Sequence, residues 1–223
     1  MTKFKFISNI LKIIFIFFIF NSHSVAQKIN LDEFTVNKYL KTKLSPGDWY
    51  LAVKERDSYY GLWFDAYTLA KIENELVTEL IFIGVADVAG VYESYVNEAV
   101  QEIVFKNKHD GCYERPEYYL LELFKRGNSV NCLIVSHLEM DKELNFPDDP
   151  EISHAQLKKW LKDNKLKFPK VMLSSKHLYF SRLSRGQMLE IQHVTDPKLL
   201  NSPKITKFTE ETSEFHKNNI DNF

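Results

Sequence analysis

The sequence predicts a single exported α+β domain, a mainly antiparallel sheet covered by helices. Three observations predict it. Runs of β-branched and aromatic residues, separated by Asp, Ser, Asn and Gly, recur along much of the chain. One long segment switches to helical spacing. The residues after an N-terminal leader, 27–223, suit one domain at about 100–200 residues per domain. The 44% hydrophobic and 14% aromatic content supplies a core and excludes a disordered tail.

The leader is read in residues 1–26. Lys3 and Lys5 make a positive start, and Ile13 to Phe20 is an uninterrupted apolar run. Ser24-Val25-Ala26 then offers small residues to a signal peptidase, so cleavage is expected after Ala26. The apolar run is short of the roughly 20 residues a spanning helix needs. With no cysteine near the cleavage site, no lipid anchor is expected, and the mature protein is expected in the periplasm or medium without a stable membrane anchor. The leader holds Lys3, Lys5 and Lys12 and no acid, so the 29 basic residues of the chain fall to 26 against 30 acidic ones. A mildly acidic chain lacks the basic footprint that nucleic acid requires.

Residues 27–44 read as a short amphipathic helix, with Leu31, Phe34, Tyr39 and Leu40 on one face and Asp32 and Glu33 in its first turn. Ser45-Pro46-Gly47-Asp48 is a turn. Strands follow across 49–53, 59–64 and 76–83. Val88, Val91, Tyr92, Tyr95, Val96, Ala99, Val100, Ile103 and Val104 then recur at helical spacing, and the helix ends near Lys106 before His109-Asp110-Gly111. Residues 118–125 and 130–138 form a hairpin. Leu121, Leu123, Cys132 and Ile134 are expected on one face, and Leu120, Phe124, Leu133 and Val135 on the other. A hairpin apolar on both sides is expected inside a sheet with cover on each face. Residues 145–150 are a loop, and Ser153 caps a helix over 154–164 with Leu157, Trp160 and Leu161 inward. Residues 171–182 and 187–194 form a second hairpin. Pro197 and Pro203 bracket a loop, and 209–218 read as a terminal helix.

Cys112 and Cys132 are the only cysteines, and an even count in an exported chain points to a disulfide. The alternatives are two free buried thiols or two thiolate metal ligands. The Cys112-Tyr113-Glu114-Arg115 turn after a long helix, the strand Asn131-Cys132-Leu133-Ile134-Val135-Ser136-His137, then a short helix, Phe168-Pro169 and a hairpin closing on Asp196-Pro197 resemble a loose group of uncharacterised exported proteobacterial proteins with two cysteines. The resemblance covers residues 85–197. Leu133 departs from the group, where an aromatic residue often follows the second cysteine. The resemblance implies no activity.

His137, His177 and His193 are the candidate catalytic residues. With a three-residue loop at Ser184 to Gly186, His177 would sit opposite His193, and two facing imidazoles could bind a metal or trade a proton. No third ligand is identifiable, so no metal site is expected. Ser136 and Cys132 face away from His137 by strand parity, so neither can pair with it directly. No phosphate-cradling loop, calcium loop or G-x-S-x-G elbow occurs, and no cofactor is implied. The lysines around Trp160 read as a solvated face with Trp160 in the core. The expectation is a non-enzymatic binding or envelope-accessory module for a small molecule or envelope protein. The alternative is a small exported hydrolase using one of the three histidines.

Overall fold

The computed structural model describes residues 27–29, 32–37, 40–59, 62–87, 96, 112, 119–126, 129–144, 152–181 and 187–200. These form ten strands: β1 (Gln27–Ile29), β2 (Glu33–Thr35), β3 (Lys41–Lys43), β4 (Trp49–Tyr59), β5 (Leu62–Glu73), β6 (Leu76–Asp87), β7 (Tyr119–Arg126), β8 (Ser129–Glu139), β9 (Val171–Ser181) and β10 (Gln187–Thr195). Two α-helices, α1 (Met140–Glu143) and α2 (Ile152–Asp163), and a 3-10 helix, Pro197–Leu200, complete the described elements. The leader and the terminal helix at 209–218 lie outside the described residues. So does the helix at 88–106 except for Val96, which is helical and buried.

Eight strands make one antiparallel sheet in the order β1-β4-β5-β6-β10-β9-β8-β7, and β2 pairs with β3 separately. Two meanders, β4 to β6 and β7 to β10, therefore meet at the central pair of β6 and β10. The α+β expectation is corrected: the described residues are mostly β, ten strands with two short α-helices among them. Part of the error lies in 27–44. Asn37 accepts a hydrogen bond from the Leu40 amide through Oδ1 (2.9 Å), and the Val36 amide donates to the Leu40 carbonyl (3.0 Å). This side-chain turn competes with a helix and closes the β2–β3 hairpin instead. Phe34, Val36 and Leu40 still pack inward, beside Trp49 and Leu69.

The first face of the sheet buries Leu44, Trp49, Leu69, Ile81, Ile83 and Val85. The second face carries two apolar clusters. One gathers Leu62, Ala86, Val130, Ile134, Phe180 and Met188 with Val96, Cys112 and Cys132. The other gathers Ala70, Leu80, Met172 and Val194 under Leu157, Trp160 and Leu161 of α2. Those three residues follow the i, i+3, i+4 spacing of one helix stripe. Lys165, at φ 56°, ends the helix, and the Leu166 amide donates back to the Leu161 carbonyl (3.0 Å), closing it as a left-handed C-terminal cap does. Ser153 lies inside α2 rather than at its cap. Trp160 is buried while Lys158, Lys159 and Lys162 are exposed, as the helical pattern predicts.

Cys112 and Cys132 form a disulfide with Cα atoms 6.3 Å apart, buried in the first of the second-face clusters. The β7–β8 hairpin forms, but its expected faces are corrected. A bulge between Glu122 and Phe124 shifts the register, so Leu120 faces Ile134 and Leu121 faces Leu133. One inserted residue moves a strand's side chains to the opposite face. The internal position is also corrected. β8 lies between β7 and β9, but β7 ends the sheet as described.

Candidate functional site

Strand parity places His137, His177 and His193 on the first face, on β8, β9 and β10. The expected opposition of His177 and His193 does not occur. Ser181 faces Gln187, so His177 faces Ile191 and His193 faces Ser175. A two-residue slip keeps both rings on one face but separates them along the strands. His177 Nε2 lies 2.5 Å from Asn131 Oδ1, and burial holds its imidazole below the ordinary histidine range. His137 is buried opposite Leu173. Both cysteines are in the disulfide, so neither supplies a thiol nucleophile.

His193 belongs to a charged knot that sequence patterning misses. Glu79 on β6 faces Lys71 on β5. Its Oε1 accepts from Ser45 Oγ and Lys71 Nζ, each at 2.8 Å, and its Oε2 lies 2.9 Å from His193 Nε2. Burial pushes the Glu79 carboxyl upward. Hydrogen bonds from His193, Lys71 and Ser45, with the Lys71 charge, outweigh it and hold the group at about 2. Burial lowers the Lys71 ammonium, but Glu79 and Glu73 reverse this and leave it raised. The knot holds the turn after β3. Gly47, at φ +138°, lies against the Lys71 side chain, where a Cβ would collide, and Trp49 Nε1 donates to the Ser45 carbonyl (2.8 Å). The carboxylate sits between hydroxyl and imidazole. A serine hydrolase relay needs the imidazole in the middle.

The second face holds a polar break between its two apolar clusters. On β9, Met172, Leu178 and Phe180 point to this face, but so do Ser174 and Lys176. On β10, Met188 and Val194 flank Glu190 and Gln192. Lys176 Nζ lies 2.6 Å from Glu190 Oε1, and Gln192 Nε2 donates to Ser174 Oγ at 2.8 Å. The Lys176 side chain is 9% exposed and that of Glu190 33%. Beside Glu190 across the sheet come Gly84 and Ala66, both half-buried. A methyl group on Gly84 would meet only Glu190 Cβ, at 3.9 Å. Half-buried Phe64 and Phe82 belong to the two clusters on either side. The signal is present in the sequence: two consecutive strands each interrupt their apolar alternation at middle positions with polar residues.

Among the described residues, no group of three or more His, Cys, Asp or Glu side chains is placed to hold a metal ion. No helix among them is long and apolar enough to cross a membrane. No known protein family, curated protein or solved structure matches this chain.

Proposed function

We propose that the protein is an exported binding module, periplasmic or secreted, that receives a small molecule on the second face of its sheet. The polar break between two apolar clusters carries this reading. Sites for small ligands combine apolar walls with a few placed polar groups, and this patch has both. The leader pattern at residues 1–26 and the buried disulfide support the exported location, since disulfides persist in oxidising compartments. The test is a screen of mixed small apolar fragments by backbone amide shifts. Shifts clustered at Ala66, Phe82, Gly84 and Gln192 are expected. Shifts confined to the His177 and His193 face overturn the reading.

A second reading, a small exported hydrolase, is favoured by one observation: the Glu79 carboxylate holds the ring of His193, whose side chain is 42% exposed. A carboxylate-oriented imidazole is the usual general base. Hydrolysis of activated esters that His193→Ala abolishes, with the fold intact, would establish this reading over the first.

A further inference from the structure

We propose that the notch at Ala66, Gly84 and Glu190 binds an organic ammonium ion, a protonated amine carrying an apolar substituent. This rests on the binding-module reading and names its ligand class. Each polar donor of the patch is engaged inside the protein through one contact: Lys176 Nζ on Glu190 Oε1, and Gln192 Nε2 on Ser174 Oγ. Two acceptors on the same face of β10 stay open to a ligand. Glu190 Oε2 and Gln192 Oε1 have no protein partner among the described residues, and the Glu190 side chain is one-third exposed.

A ligand that satisfies them must donate. An ammonium supplies up to three N–H donors and a charge opposite to that of the carboxylate, and such charge-assisted bonds are about twice as strong as neutral ones. An anion would meet the free carboxylate oxygen first. Lys176, 2.6 Å from Glu190 Oε1, offsets part of the carboxylate charge, so the ammonium is favoured through its direct bonds to Glu190 Oε2 and Gln192 Oε1 rather than by net charge. The small floor supplies room: Ala66 is opposite Gly84, and Gly84 is opposite Glu190, so no large side chain rises between them in that row. Phe64 and Phe82 on either side offer apolar surface to the substituent, and aromatic rings attract organic cations.

The experiment compares hexylammonium, hexanol and hexanoate by calorimetry and amide shifts on the mature chain, its variants Glu190→Gln and Gly84→Val, and Gly84→Ala should the valine variant not fold. Hexylammonium is expected to bind at least about tenfold more tightly than hexanol, the equivalent of about 1.4 kcal/mol. Hexanoate is expected not to bind. Glu190→Gln should remove the preference for the amine, and Gly84→Val should remove all binding. Equal binding of amine and alcohol, lost in Gly84→Val but kept in Glu190→Gln, overturns the ligand class and leaves the binding site standing. Binding insensitive to both variants, or none by any probe, overturns both.

Discussion

The sheet carries a lysine–glutamate pair on each face, and the two are completed differently. Lys71 and Glu79 are 10% and 8% exposed, and both carboxylate oxygens are occupied, by Ser45, Lys71 and His193. Lys176 and Glu190 have a similarly close contact, but Glu190 is 33% exposed and keeps one oxygen without a protein partner among the described residues. The contrast shows that ion-pair distance says little about role. The number of further partners decides it. A carboxylate with both oxygens engaged locks a turn onto the sheet, whereas one with an open oxygen can still accept from a ligand.

The comparison breaks most severely at Lys71. Lys71→Met leaves Glu79 buried without its cation and should cost about 3–5 kcal/mol in urea unfolding, the usual penalty for removing one partner of a buried pair. The same knot sets an acid limit. Glu79 titrates at about 2 in the folded protein, against 4.5 for an unperturbed glutamate. Its stabilisation is therefore present above about pH 4.5 and lost as pH falls toward 2, up to about 3 kcal/mol. Unfolding followed between pH 6 and 2 should show this slope, and Glu79→Gln should flatten it. An unchanged slope would mean that the knot does not control acid stability.

Next in size is the disulfide, which closes off one end of the second face. The double Cys112→Ala, Cys132→Ala protein should lose about 2–4 kcal/mol. Titration of the unfolded, unreduced parent should find no free thiol, and two reactive thiols per chain would refute the bridge. Glu190→Gln should cost less, about 1–3 kcal/mol, because Lys176 loses its countercharge but the amide oxygen still accepts from it. A loss equal to that of Lys71→Met would erase the distinction between the pairs. Smallest of all, charge reversal at the exposed Lys159 and Lys162 should move stability by no more than about 0.5 kcal/mol. Anionic vesicles bound by the parent and lost in that double variant would make the lysine face a membrane contact rather than a solvated surface.

The strands from Trp49 to Thr195 are legible in the sequence because β-branched and aromatic runs alternate between turns, as at Val171–Ser181. Helix α2 is legible from Leu157, Trp160 and Leu161. The segment 27–44 is not, because the spacing of Phe34 and Leu40 also suits a hairpin that packs on Trp49. Nothing local marks the bulge between Glu122 and Phe124, yet it exchanges the faces of β7. The second hairpin is where its residues predict it, but its turn lies outside the described residues, and the register that separates His177 from His193 depends on that turn's length. Glu79 is invisible as a site residue because its partners come from Ser45, Lys71 and His193, far apart in the chain. Long-range pairs of that kind are set by topology, which periodicity does not encode.

The seam between β6 and β10 also dictates an order of assembly. Its partners, such as Ile83 and Ile191, are separated by most of the second meander. During synthesis β6 stays a bare sheet edge, rich in Leu80, Ile81, Phe82 and Ile83, until residues 187–195 exist to cover it. Such non-local pairing slows folding. The newly made chain therefore presents its stickiest strand for the longest time, and a truncation before Gln187 would leave that strand open to pairing with a neighbouring molecule.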